Sequence, residues 1–203
     1  FAKGVAAQAG RGLASYHDLW QWSIDDIEAF WRAMWDFGGV IASTQPTRTI
    51  TDAGKMPGAR FFDDARLNFA QNLLARRPAD DPGDSLVFRG EDKTEQRLSH
   101  AALTASVSRF AQALVAQGIT AGDRVAAYLP NMPEAIIAML ATTSRGAVWS
   151  SCSPDFGVQG VIDRFGQIEP RVLVAVDGYW YNGKYIPIVD ELRDIGARLP
   201  SVE

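Results

Sequence analysis

The chain carries one cysteine in 203 residues, Cys152, and two histidines, His17 and His100. A single thiol excludes an internal disulfide, and with two scattered histidines it cannot complete a Cys/His metal site. No metal-binding residue is assigned. Basic residues are also in short supply: 20 Lys plus Arg against 24 Asp plus Glu leave a formal charge of −4. Nucleic-acid binding relies on clustered Lys and Arg to neutralise phosphates, and no basic stripe occurs, so no nucleic-acid partner is expected. Long apolar runs are missing. The most apolar helix candidate, residues 134–142, is too short to cross a bilayer, so no membrane insertion is expected. Residues 1–12 hold glycines and charges where a secretory leader needs an apolar run. A cytoplasmic protein is the resulting expectation, in keeping with the lack of paired cysteines. Phosphate-binding glycine loops of the GxxxxGK[ST] or GxGxxG kind do not occur, nor does a GxSxG nucleophile elbow.

What is present is a globular composition, 47% hydrophobic, which excludes wholesale disorder. Residues 23–37 read as an amphipathic helix, with Ser23 as its cap and Asp26 completing a capping box. Ile24, Ile27, Phe30, Trp31, Met34 and Trp35 recur at helical spacing and form one broad apolar face of packing anchors. Met56-Pro57-Gly58 signals a turn. Residues 68–76 suggest a short helix with Phe69, Leu73 and Leu74 inward, and breakers over 78–83 suggest a loop. The expected division is therefore an N-terminal extension over 1–82, with an amphipathic helix and a wrapping segment, followed by the first part of an α/β domain over 83–203.

Two short strands, 85–88 and 95–98, precede a helix over 99–117 with Leu103, Val107, Phe110, Ala111 and Leu114 on one face and Gly118 as its stop. The pattern then alternates. Strands are expected at 124–129, 147–151 and 172–176, with helices at 133–144 and 156–167 between them. After the last strand only a loop and a helix over 189–195 are expected. Apolar strands separated by helices describe a parallel sheet covered on both faces, so the expected class is α/β: a three-layer Rossmann-like parallel sheet with flanking helices. At least one sheet edge should face solvent unless further chain or self-association covers it. Cys152 ends a strand and reads as an inert thiol, buried or half-buried. Asp177 also follows a strand, where it either caps a turn or touches a ligand, and His100 reads as a surface or boundary residue.

Gly122-Asp123-Arg124-Val125-Ala126 and Leu129-Pro130-Asn131-Met132-Pro133-Glu134-Ala135 resemble a conserved segment of the adenylate-forming enzymes, a superfamily that includes acyl-CoA synthetases. Ser144-Arg145-Gly146-Ala147-Val148-Trp149-Ser150 continues the likeness, and Leu98-Ser99-His100 is similar to an earlier element, with His100 where tyrosine is usual. Within the superfamily, three stretches resemble the acetoacetyl-CoA synthetase family. They are Phe30-Trp31-Arg32-Ala33-Met34-Trp35, the run from Met56 to Leu74, and Ser153-Pro154-Asp155-Phe156-Gly157 with Tyr181-Asn182-Gly183-Lys184 after it.

The resemblance implies the large N-terminal domain of a two-step ligase. A carboxylate attacks the α-phosphate of ATP, pyrophosphate leaves, and the thiol of CoA then displaces AMP. ATP, Mg2+ and CoA are the implied cofactors of the whole enzyme, with acetoacetate as the acid. The phosphate loop, the ribose-binding acid and the catalytic lysine of that family have no counterpart in this chain. No catalytic residue is therefore assigned, and the isolated polypeptide is expected to be inactive, with no cofactor tightly bound. The same resemblance brings residues 153–156 near CoA and makes Lys184 a candidate contact to its 3′-phosphate. A solvent-exposed loop lysine is the other reading of Lys184, and Trp180 and Tyr181 either stack on adenine or pack the loop. A synthetase for another short acid, such as acetate or propionate, and a non-catalytic α/β binding or scaffold module remain as alternatives.

Overall fold

Residues 1–6, 12–78 and 81–202 are described by a computed structural model. Packing divides the chain into two units, Phe1–Asn68 and Phe69–Glu203.

The first unit holds α1 (Ala2–Val5), α2 (Tyr16–Asp25), α3 (Ile27–Phe37) and four short strands. The strands are β1 (Ala42–Thr44), β2 (Ile50–Thr51), β3 (Arg60–Phe61) and β4 (Arg66–Leu67); β1 pairs antiparallel with β4, and β2 with β3. The single helix expected over 23–37 is replaced by two. Ser15 and Asp18 form a reciprocal capping box at the start of α2: the Asp18 amide donates to the Ser15 hydroxyl at 3.2 Å, and the Ser15 amide to the Asp18 carboxylate at 2.8 Å. Asp26 then leaves helical geometry (φ −133°, ψ 72°) and caps α3, accepting from the Ala29 amide at 3.0 Å. Ser23 lies inside α2, where its hydroxyl donates to the Trp20 carbonyl. An acid at the first turn both accepts a free amide and meets the positive end of the helix dipole, which is why Asp26 outcompetes Ser23. Trp22 is the buried anchor, packed edge-on against Phe30 at 5.6 Å and grouped with Val5 and Ala33. Trp35 is buried against Phe62, whereas Ile24, Ile27 and Trp31 of the expected apolar face stay exposed.

The second unit opens with α4 (Phe69–Leu74), which turns Ala70 and Leu74 inward; Phe69 and Leu73, expected inside, are exposed. Part of the loop expected over 78–83 lies outside the described residues. Next come the antiparallel hairpin β5 (Asp84–Arg89) and β6 (Glu95–Ser99), then α5 (His100–Ala116). The alternation that follows is β7 (Arg124–Tyr128), α6 (Pro133–Ser144), β8 (Val148–Cys152), a 3-10 turn Pro154–Phe156, α7 (Gly157–Phe165) and β9 (Val172–Ala175). The three strands form a parallel sheet in the order β8-β7-β9. Successive residues of β7 serve opposite layers: Val125 packs with Leu103, Leu114 and Leu140 of α5 and α6, and Ala126 and Tyr128 pack with Val161 and Phe165 of α7 and with Ile195. This is the open, helix-flanked α/β sheet that the alternating pattern predicts.

Beyond β9 the loop expectation fails. Residues there form a second hairpin, β10 (Gly178–Tyr181) and β11 (Lys184–Pro187), before α8 (Val189–Arg198). Asn182 and Gly183 join its strands with φ of 49° and 73°. Two consecutive positive φ values make the twisted two-residue turn that Asn-Gly favours.

Candidate functional site

Ligands of open α/β sheets bind outside the carboxyl ends of the strands. Here that edge is built from three connections within the second unit: residues 129–132 after β7, residues 153–156 after β8, and residues 176–177 leading into the β10–β11 hairpin. Pro133 starts α6 with its missing N–H in a position where no helical bond is lost.

Just beneath this edge two weak acids are buried. Tyr128 ends β7, and its hydroxyl donates to the carbonyl of Pro154 in the turn after β8. Burial pushes its phenol up to about 12, aided by the neighbouring Cys152. Burial likewise pushes the Cys152 thiol up to about 11, with the Arg164 charge opposing and that of Asp155 adding. A thiol so protonated is no nucleophile near neutral pH. Above them, Pro154 is buried while Ser153, Asp155 and Phe156 are exposed. The Arg164 guanidinium lies over the Phe156 ring, 4.0 Å from its centre.

The hairpin register assigns faces. Tyr179 opposite Ile186 and Tyr181 opposite Lys184 share one face, with Trp180 and Tyr185 on the other. Tyr179 and Ile186 pack into the layer below the sheet. Burial first, and then the Asp155 charge, raise the Tyr179 phenol above its usual range. Lys184 is thus exposed on the hairpin face that also carries Tyr179. Trp180 meets Tyr185 edge-on at 5.9 Å. Gly178 is needed where it stands: a Cβ there would come within 2.8 Å of the Ile186 carbonyl oxygen and run into the Tyr185 ring.

A cleft of about 400 Å³ lies between the two hairpins and the β7–α6 connection. Its walls are the β5–β6 tip with Arg89, Glu91 and Asp92, the Pro130–Glu134 turn, and Asp177 with Trp180. The Gly183 amide at the turn of the second hairpin donates to the Glu91 carboxylate at 3.4 Å. Asp92 accepts from the Thr94 hydroxyl and amide, which hold its carboxyl below the usual range. Glu91, Asp92, Glu134 and Asp177 against Arg89 make this cleft acidic, a poor cradle for a polyphosphate. Lys184 does not line it.

His100, expected at the surface or a boundary, is buried, with Nδ1 3.5 Å from the Ser85 hydroxyl. It follows the cap of α5 and so faces inward against the β5–β6 hairpin. Cys152 is buried as expected, and Asp177 lines the cleft while its carbonyl accepts from the Ile188 amide. Sequence reasoning missed Tyr128 as an anchor and missed the second hairpin; the Asn182-Gly183 pair between aromatic and β-branched residues was the available signal for the latter. Among the described residues, no group of three or more His, Cys, Asp or Glu could hold a metal ion, and no helix is long and apolar enough to cross a membrane.

Comparison with known proteins places the chain. A family model described as AMP-binding enzyme matches residues 74–201, and one described as acetyl-coenzyme A synthetase N-terminus matches residues 16–73. The chain is 53% identical over 190 residues to an acetoacetyl-coenzyme A synthetase of Rhizobium meliloti (strain 1021), covering 94% of this chain and 29% of that protein. It is 38% identical over 204 residues to an acetoacetyl-CoA synthetase of Xenopus tropicalis (100% of this chain, 30% of that protein). It is also 37% identical over 207 residues to the malonamoyl-CoA synthetase vrtB of Penicillium aethiopicum (100% and 29%). Among solved structures, acetoacetyl-CoA synthetase from Streptomyces lividans matches with a TM-score of 0.93 at 38% identity, covering 100% of this chain and 31% of that one. The chain therefore spans about 30% of the length of the curated relatives it matches.

Proposed function

The chain belongs to the AMP-binding enzyme family, and from that premise we propose that it is the N-terminal part of an ATP-dependent acetoacetate–CoA ligase. In the whole protein an acetoacetate oxygen attacks the α-phosphorus of ATP, the bond to the β-phosphate breaks, and pyrophosphate leaves with the electron pair. The CoA thiolate then attacks the acyl carbon, and the bond to AMP breaks. A carboxylate resists acyl transfer until its oxygen becomes part of a good leaving group, and the phosphorus centre needs positive charge around it as it accepts the attack. When bound, Mg2+ supplies part of that charge. The acidic cleft and the buried, protonated Cys152 and Tyr128 offer no such charge, which supports a scaffold role for this chain. The observation that carries the acetoacetate reading is the 53% identity with the Rhizobium meliloti acetoacetyl-coenzyme A synthetase over almost the whole chain.

Two further assignments belong to this proposal. The extension over 1–82 precedes a large domain whose first part is 83–203. The 153–156 turn and Lys184 face CoA, with Lys184 toward the 3′-phosphate; the exposure of Ser153, Asp155, Phe156 and Lys184 supports it. The protein is taken to be cytoplasmic, and further chain or self-association to cover the sheet edges.

A second reading, a synthetase for another short acid, is favoured by the likeness to malonamoyl-CoA synthetase, whose identity to this chain is close to that of the Xenopus tropicalis protein. AMP release by the full-length protein separates the two: kcat/KM should be highest for acetoacetate, and a preference for malonamate, acetate or propionate would reject the leading reading. The 203-residue chain alone should neither release AMP nor bind ATP tightly in calorimetry, and turnover by it would remove the scaffold assignment. In the full-length protein, Lys184→Ala should raise KM for CoA about tenfold, the scale of a lost charge-assisted contact, and leave KM for 3′-dephospho-CoA unchanged. Equal changes for both thiols would take Lys184 away from the phosphate.

A further inference from the structure

We propose that Tyr128 is a positioning residue for the thioester-forming half-reaction, acting through the 153–156 turn that it pins to the central strand. This rests on the reading above that the turn faces CoA. Tyr128 is fully buried at the last position of β7, the middle strand of the sheet, so its ring is held by both the strand and the packed layer of Val161, Phe165 and Ile195. From there its hydroxyl reaches a carbonyl 26 residues away in sequence, that of Pro154. The bonded residue is buried while Ser153, Asp155 and Phe156 beside it project to solvent. A loop that exposes its side chains and buries one backbone carbonyl on a fixed donor is held in shape without being covered.

Two features complete the clamp. Gly157 takes φ +64° directly after the turn, a value open to glycine that lets the chain leave the 3-10 turn and enter α7. On the outer side the Arg164 guanidinium rests on the Phe156 ring and donates to the Gly160 carbonyl at 2.8 Å. The turn is therefore fastened from beneath by a neutral hydrogen bond and from the side by a cation over an aromatic face. Without the phenol hydroxyl, the Pro154 carbonyl has lost its buried donor and the turn can sample other shapes. Misplacement of a group that contacts a substrate weakens the step using that substrate and spares steps that do not.

The test uses the full-length protein that carries this chain and compares its two half-reactions. Tyr128→Phe keeps the ring and removes only the hydroxyl. It should raise KM for CoA about five- to tenfold, the equivalent of one hydrogen bond, while acetoacetate-dependent exchange of pyrophosphate into ATP stays at the parental rate. An unchanged KM for CoA in a folded variant overturns the inference, as does an equal fall in both half-reactions, the signature of general loosening. Should Tyr128→Phe not fold, Arg164→Gln on the exposed side of α7 decides the matter by the same two readouts, with a rise of about two- to fivefold expected. Phe156→Ala separates the inference from the reading beneath it. If Phe156→Ala raises KM for CoA and Tyr128→Phe does not, the turn faces CoA but Tyr128 does not position it. If neither changes KM for CoA, the turn does not face CoA at all.

Discussion

Cys152 and Tyr128 sit side by side in their protonated forms under the end of the sheet, and their chemistry is set by burial. The Cys152 thiol rises from 9.0 to about 11, and the Tyr128 phenol from 10.0 to about 12. For an acid whose folded pKa exceeds its unfolded value, the unfolded state loses its proton first as pH rises. The stability they contribute is therefore whole below pH 9 and is lost progressively as pH climbs from 9 to about 12. Urea denaturation of the chain between pH 7 and 11 should show a falling midpoint above about pH 9, and Cys152→Ala should flatten the first part of that fall. A midpoint constant to pH 11 would show that neither group is desolvated. Thr142 makes a different point: it is fully buried in α6, and its hydroxyl has no hydrogen-bond partner among the described residues. Thr142→Val keeps the shape and removes the orphaned group, so unfolding should become harder by about 1 kcal/mol. A loss of stability would mean that the hydroxyl is satisfied.

Helix ends were the least readable elements, and the N-terminal helices explain why. A Ser-x-x-Asp pattern occurs at residues 15–18 and again at 23–26, and each looks like a cap when read locally. The structure resolves the competition by using Ser15 for α2 and Asp26 for α3, leaving Ser23 inside a helix. Ser15→Ala and Asp26→Ala should each cost about 1 kcal/mol, whereas Ser23→Ala should stay within a few tenths, as thermal melts of the three variants can measure. The reverse order would restore the single-helix reading. In contrast, α5 and α6 were legible almost to the residue, because Gly118 and Gly146 close them with φ of 72° and 71°, and Pro133 opens α6. Glycine and proline constrain the backbone by themselves, so their message survives without tertiary context. A serine or aspartate cap does not, since it competes with its neighbours.

The division of the molecule into two packed units follows its cores. Val5, Trp22 and Ala33 form one cluster within Phe1–Asn68, and the two clusters on either side of the parallel sheet lie within Phe69–Glu203. A chain starting at Phe69 keeps both sheet-covering cores, so it should retain a cooperative unfolding transition and an α/β circular dichroism spectrum. A broad, non-cooperative melt would show that the second unit cannot stand by itself. Among the described residues, β8 and β9 of the parallel sheet each pair with β7 alone, leaving their outer backbone edges without a partner strand in that sheet. The curated relatives are about three times as long as this chain, and the proposal that further chain covers those edges belongs to the whole protein.

Much of this was already written in the order of residues. The short apolar runs 124–129, 147–151 and 172–176, spaced by glycine- and proline-bounded helices, dictate a parallel sheet with a helix layer on each face, because no other arrangement buries both sides of such strands. The segments from Gly122 to Ser150 carry the family likeness without help from the fold. Packing alone decided the rest: that His100 turns inward, that Ala70 and Leu74 rather than Phe69 and Leu73 face the core, and that Tyr128 reaches the carbonyl of Pro154. Those outcomes depend on which atoms meet across tens of residues. Local periodicity reports which residues share a side, and only the closed fold settles what each side meets.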